Sequence, residues 1–222
     1  MAYTYEYPHP AVTTDIVIFT IRHDELKVLL INRGRPPFQG MWALPGGFVN
    51  LDESLEQGAR RELEEETGVS DVYLEQLYTF GEPDRDPRER VITVAYYALV
   101  PTDEIDIKAG SDAEGVSWIG MQELPELAFD HSEILDMAFE RLSAKLDYST
   151  IAFQFMPPEF TLSELQHVYE VIHRKPIDKR NFRKRILGLD LIEETGEDKR
   201  DGAHRPAKLY RVKDPGRIDI IK

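Results

Sequence analysis

Apolar positions along the first two thirds of the chain fall into short runs separated by turn residues. Ala11–Ile21 is rich in β-branched residues and predicts a strand. His23-Asp24 predicts a turn into a second strand, Lys27–Asn32. Arg33–Gly40 holds two prolines and two glycines and predicts a loop. Trp42–Phe48 predicts a short strand ending at the Gly46-Gly47 pair. Ser54–Thr67 predicts a helix, because Ser54 and Gln57 have capping-box spacing and Gly68 stands where a C-terminal cap belongs. Val72–Phe80 and Val91–Val100 predict long strands on either side of the polar loop Gly81–Arg90. A strand near Val116–Ile119 and a helix over Ser132–Leu146, capped by Asp130, complete the series. Interleaved strands and helices up to about residue 148 define an α/β layered domain.

The texture then changes. Pro157-Pro158 marks a junction, and Thr161-Leu-Ser-Glu164 is a capping box opening a helix. Leu165, Val168, Tyr169 and Ile172 share one face of it. Pro176 breaks that helix, and Asp178 caps a second, Lys179–Leu187, with Phe182 and Ile186 facing inward. Two strands follow, Leu189–Glu193 and Ala207–Val212, joined by the polar loop Thr195–Pro206. Helix, turn, helix and hairpin are the outline of a winged helix-turn-helix. The expected organisation is therefore one domain over 1–150 and a second over 151–222.

Charge sharpens that division. The 222 residues carry 27 Lys+Arg and 41 Asp+Glu, net −14. Residues 1–150 hold 12 basic and 29 acidic side chains, whereas 151–222 hold 15 basic and 12 acidic. Seven of those bases crowd into Arg174–Arg185 with one acid, Asp178. An acidic first part and a locally basic second part suggest different partners, against the plain alternative of ordinary solvated surfaces. There is no cysteine, so disulfides and thiolate zinc sites are excluded. No apolar run approaches the ~20 residues that span a bilayer, and the start lacks the apolar core of a secretory signal. A cytoplasmic setting with no membrane partner is the expectation.

The chemistry is concentrated between Gly47 and Val69. Glu62, Glu65 and Glu66 lie three and four apart and share a helix face. Three carboxylates so placed repel one another unless a cation sits among them, and Mg²⁺ prefers such oxygen ligands beside substrate phosphates. A solvated acidic helix face is the alternative. The full spacing decides between them: Gly47, Glu53, Arg61, Glu62, Leu63, Glu65, Glu66, Gly68 and Val69 match every fixed position of Gly-x5-Glu-x7-Arg-Glu-U-x-Glu-Glu-x-Gly-U, where U is a bulky aliphatic. The segment resembles the Nudix box.

That resemblance implies a Nudix α/β/α sandwich with a mixed sheet. It also implies Mg²⁺- or Mn²⁺-dependent hydrolysis of a nucleoside diphosphate derivative. By position, Glu62, Glu65 and Glu66 become metal ligands and the Gly46 carbonyl a further candidate. Arg61 joins them in the catalytic set by bracing loop and helix with Glu53. The general base stays open among Glu62, Glu82, Glu89 and Glu114. A phosphate-rich substrate also needs cations and a stacking surface. Arg33, Arg35, Arg85 and Arg88 supply the first, Phe38 and Trp42 the second, and Gly47 lets backbone approach. The alternatives are a core Trp42 and arginines paired with Asp84 and Asp86.

In the second domain, Lys179, Arg180, Asn181, Arg183 and Lys184 would decorate a recognition helix in the major groove, and Arg205 a wing tip. A basic helix that is merely solvated is the alternative. A Nudix box followed by Phe160-Thr-Leu-Ser-Glu-Leu165, Asp178-Lys-Arg-Asn-Phe-Arg-Lys184 and Arg205-Pro-Ala-Lys-Leu-Tyr-Arg211 is similar to the Nudix-related transcriptional regulators of NAD metabolism. The loop Phe80-Gly-Glu-Pro-Asp-Arg-Asp-Pro-Arg88 looks like theirs too. This resemblance implies ADP-ribose as ligand, double-stranded operator DNA as partner, and a homodimer. Such regulators often carry an eroded box. The complete one here implies retained ADP-ribose hydrolysis. The competing expectation is a plain Mg²⁺-dependent hydrolase whose C-terminal module makes dimer or protein contacts.

Overall fold

The computed structural model describes residues 6–101, 113–200 and 206–221. These divide into two compact units. The first holds the chain up to Phe19, Val28–Ala98 and the stretch ending at Ala138; the second holds chiefly Thr20–Lys27 and the chain from Phe139 onward. Among the described residues, no helix is long and apolar enough to cross a membrane.

A seven-stranded sheet is the frame of the fold. Its strands are β1 (Ala11–Arg22), β2 (Glu25–Arg33), β3 (Trp42–Ala43), β4 (Gly46–Phe48), β5 (Tyr73–Phe80), β6 (Val91–Leu99) and β7 (Ala113–Gly120). The order is β3-β2-β1-β6-β5, with β4 on β1 and β7 on β2. The central strands are apolar on both faces: Ile16, Val17, Ile18 and Phe19 of β1 and Ala95, Tyr97 and Ala98 of β6 are fully buried. A strand buried on both sides needs a covering layer on each. Two helices bring apolar faces, α1 (Leu55–Thr67) with Ala59 and Leu63, and α2 (His131–Tyr148) with Ile134, Leu135 and Ala138.

Local chemistry sets the element ends. His23 and Asp24 both have positive φ, as a two-residue hairpin turn requires. Ser54 and Gln57 form the expected capping box on α1, and Gly68 closes it in the left-handed conformation. The single strand expected over Trp42–Phe48 is instead two. Pro45 has no N–H to give a ladder, and the chain crosses there from β2 to β1. β3 pairs with β2, while β4 pairs antiparallel with β1, setting Asp15 opposite Gly46 and Thr13 opposite Phe48. Asp130, expected as a cap, uses its carboxylate to hold Arg85.

The second unit carries a 3-10 turn (Ile151–Phe155), β8 (Phe160–Thr161), α3 (Leu162–His173), α4 (Lys179–Gly188), β9 (Ile192–Lys199) and β10 (Ala207–Val212). Thr161 and Glu164 form the capping box of α3, and the Asp178 carboxylate accepts from Asn181 N–H at the start of α4. Leu165, Val168, Tyr169 and Ile172 of α3, Phe182 and Ile186 of α4 and Tyr210 of β10 are all buried, and Tyr169 packs edge-on against Phe182 at 5.3 Å. The strands form an antiparallel sheet in the order β8-β10-β9. β9 starts later than expected and runs through polar residues placed in the loop. Pairing with β10, Ile192 opposite Val212 and Lys199 opposite Ala207, overrides their weak strand preference. β8 is two residues long and the 3-10 turn five, too short for periodicity to reveal.

Candidate functional site

A cavity of about 360 Å³ opens on the first unit where β1, β4 and α1 meet. Glu62 and Glu66 line it from α1, and Gly46 and Gly47 from β4. Gly46 N–H donates to Glu66 Oε2 at 2.8 Å, which tethers that carboxylate to the strand. A Cβ on Gly47 would stand 2.3 Å from Glu62 Oε1, so glycine is what allows the carboxylate to lie against the backbone.

Arg61 is the hub beside them. It donates to both oxygens of Glu53, to Glu62 Oε1 at 2.7 Å and to Glu65 Oε2 at 3.2 Å. It also donates to the Phe48 carbonyl. These bonds hold the Glu53 carboxyl at about 2 and push the Arg61 guanidinium well above its usual range. Burial raises the Glu62 carboxyl despite its bond to Arg61. Glu65 is different: its side chain is 61% exposed and it lies outside the cavity lining.

Carboxylate oxygens are the right donors for a hard divalent cation. Among the described residues, however, no three His, Asp or Glu side chains are gathered closely enough to hold a metal. The donor set facing the cavity is Glu62 and Glu66, with Gly46 and Asp15 also in its wall.

The lining is also cationic and aromatic. Arg33, Arg35 and Arg88 belong to it together with Phe48 and Phe129. The Arg33 guanidinium lies 4.8 Å from the Phe129 ring centre, and Arg88 lies 5.7 Å from the same ring and 5.3 Å from that of Phe48. Burial, and then the neighbouring charge of Arg88, lowers the Arg33 pKa. Two cations around one ring in a cavity are a setting for an anion. Arg88 is also bound bidentately by Asp86, the pairing kept open from the sequence. Phe38 is outside the lining but packs edge-on against Phe129 at 4.8 Å. Trp42 is half-buried in β3 and does not line the cavity. Arg85 does line it, yet its guanidinium is buried and taken by Asp130 at 2.7 and 2.8 Å and by Asp15 at 3.3 Å. Glu82 and Glu89 are exposed and outside the lining. The Glu114 side chain lies outside the described residues.

Among the lining residues that escaped the sequence analysis are Thr13, Asp15, Phe48, Phe129 and His131. Leu44 N–H donates to His131 Nδ1 at 2.9 Å, so the ring is neutral with its proton on Nε2, 3.7 Å from Asp15 Oδ1. Burial lowers its pKa further. Asp15 had one legible signal, a lone charge inside an apolar strand.

On the second unit, Lys179, Arg180, Asn181, Arg183, Lys184 and Arg185 are all exposed along α4, whose Phe182 and Ile186 are buried beneath. Arg183 Nη2 donates to the Tyr210 hydroxyl at 3.2 Å, and that hydroxyl donates to Glu194 Oε1 at 3.2 Å. Arg205 lies outside the described residues.

The carboxylate-lined cavity on a mixed sheet is that of a Nudix domain, and the second unit is a winged helix. Residues 10–138 match the family described as NUDIX domain, and residues 152–212 the one described as NrtR DNA-binding winged helix domain. The chain belongs to the Nudix family, in the group that carries the NrtR winged helix. It is 41% identical over 214 residues to the ADPR responsive transcriptional repressor NtrR of Acinetobacter baylyi, covering 93% of this chain and 83% of that protein. The crystal structure of Shewanella oneidensis NrtR complexed with a 27mer DNA superposes with a TM-score of 0.82 at 43% identity, covering 91% of this chain and 93% of that one. The ADP-ribose pyrophosphatase of Methanocaldococcus jannaschii is 42% identical over 129 residues, 58% of this chain and 73% of that protein.

Proposed function

We propose that the chain is an ADP-ribose-responsive, DNA-binding repressor of NAD-metabolism genes that also hydrolyses ADP-ribose. The observation that carries the enzymatic half is Glu62 and Glu66 of a complete box lining one cavity with Arg33, Arg35 and Arg88. The similarity to the Methanocaldococcus jannaschii ADP-ribose pyrophosphatase supports this half, and that to the Acinetobacter baylyi repressor supports the regulatory half. Functionally the chain divides near residue 150, with catalysis before it and DNA contact after it.

In this reading Mg²⁺ or Mn²⁺ would be held by Glu62 and Glu66, with the Gly46 carbonyl as a further ligand. When bound, the ion neutralises the diphosphate and polarises the attacking water. The arginines fix the phosphates and Phe129 packs on the ligand. Arg61 and Glu53 keep the box rigid. Glu62, which lines the cavity from α1, takes the water's proton. The water oxygen bonds to one phosphorus as the bridging P–O bond breaks, giving AMP and ribose 5-phosphate.

In the second unit α4 enters the major groove, where Arg180, Asn181 and Arg183 meet base edges and Lys179 and Lys184 meet phosphates. Arg205 extends the contact from the wing. A homodimer would set two such helices about one turn of DNA apart. A repressor of this kind works in the cytoplasm, where the genes are. The test of the enzymatic half is Glu66→Gln: metal-dependent release of AMP from ADP-ribose is lost. Unchanged turnover removes Glu66 from the site.

A further inference from the structure

Glu194 of β9 stands directly opposite Tyr210 of β10. The Tyr210 ring is buried, and its hydroxyl joins Arg183 of α4 to Glu194 Oε1 through two bonds of 3.2 Å. The other Glu194 oxygen takes Lys208 Nζ at 2.5 Å. Lys208, Arg183 and Lys179 line one cavity of about 410 Å³ together with Tyr210, and no acid among the described residues lines it. Glu194 lies outside that lining, yet its carboxylate holds one of the three cations directly and a second through Tyr210. The preceding residue, Glu193, pairs with Arg211 at 2.6 Å. Side chains alternate along a strand, so that pair stands on the other face of the hairpin.

Both ion pairs are about half-exposed. Such pairs add little to stability, so stability does not account for an acid among cations that meet DNA. We propose that Glu194 is a specificity-determining residue of the DNA-reading face: its carboxylate neutralises Lys208 and limits the attraction to DNA phosphates that is blind to sequence. Binding to random DNA consists of phosphate contacts. It has no fixed register, so every pose that brings a freed Lys208 to a phosphate strengthens it. Operator binding is held in one register by contacts to base edges, and a freed Lys208 adds less there. An acid that weakens the wrong complexes more than the right one raises discrimination.

The inference rests on the reading of the second unit as the DNA-binding part, and the test separates the two. Anisotropy titrations of the full chain use a labelled promoter fragment of a NAD-metabolism gene from the same genome and a random duplex of equal length, over a salt series. Glu194→Gln keeps an oxygen for the Tyr210 hydroxyl and removes the charge. Its affinity for the random duplex rises about fivefold at low salt, and the salt dependence steepens by about one unit of slope, as for one added phosphate contact. Promoter affinity rises less than about twofold, so the ratio of promoter to random affinity falls. Glu193→Gln makes the same change of net charge on the other face, and shifts random-duplex affinity by less than about twofold. Both acids are half-exposed, so both variants fold. Wild-type affinity for the random duplex in Glu194→Gln, an equal gain in Glu193→Gln, or an equal gain on both DNAs overturns the assignment. Wild type that binds neither duplex overturns the reading of the second unit, and this inference with it.

Discussion

Arg61 grips Glu53 with two hydrogen bonds, Nη2 to Oε1 at 2.7 Å and Nε to Oε2 at 3.0 Å. A second support comes from Asn50 N–H, which donates to Glu53 Oε1 at 2.7 Å. Together they hold the Glu53 carboxyl at about 2, below its usual 4.5. A depressed carboxyl stabilises the folded chain above its ordinary pKa, and that contribution fades as pH falls through the folded value. Glu53→Gln is therefore less stable than wild type near neutral pH, and the difference shrinks between 4.5 and about 2. Urea unfolding of both proteins over a pH series reads this directly. A difference independent of pH would assign the effect to packing instead of the ion pair.

Arg85 joins β1 to the start of α2 through Asp15 and Asp130, and its side chain is 4% exposed. Arg85→Met leaves two acids facing each other in a buried site. The expected loss is about 3–5 kcal/mol of unfolding free energy. Equilibrium denaturation checks it, and a loss under about 1 kcal/mol would mean that water already reaches the pair.

On α4, Arg180→Ala and Arg183→Ala each weaken operator binding and reduce its salt dependence, while ADP-ribose turnover is unchanged. Tyr210→Phe acts through Arg183, because the lost hydroxyl is what connects that guanidinium to Glu194. The ratio of operator to random-sequence affinity falls, with random-sequence affinity nearly constant. Anisotropy titrations on both DNAs measure the ratio. An unchanged ratio in Tyr210→Phe would remove its positioning role.

What could be read from the sequence was local. The box has fixed spacing within one helix and its preceding turn. The caps at Ser54, Thr161 and Asp178 each involve residues three apart, and all three form. The cavity's arginines were legible, but Asp15 and His131 were not, because their partners are distant in the chain. Asp15 meets Arg85 across 70 residues, and Leu44 meets His131 across 87. Spacing also placed three glutamates on one helix face without showing that Glu65 is 61% exposed and outside the cavity lining. β9 was misplaced because only its partner β10 makes a strand of Glu193–Lys199.

In the proposed repressor, one chain couples a nucleotide cavity to a DNA-reading helix. Linkage demands reciprocity: a ligand that weakens DNA binding is itself bound less tightly by the DNA complex. The most direct measurement is anisotropy of a labelled promoter fragment from a NAD-metabolism gene of the same genome, titrated with the protein at rising ADP-ribose in the Glu66→Gln background. DNA affinity falls as ADP-ribose rises, and AMP at the same concentrations has a smaller effect. Promoter affinity that stays constant across the ADP-ribose series contradicts the account.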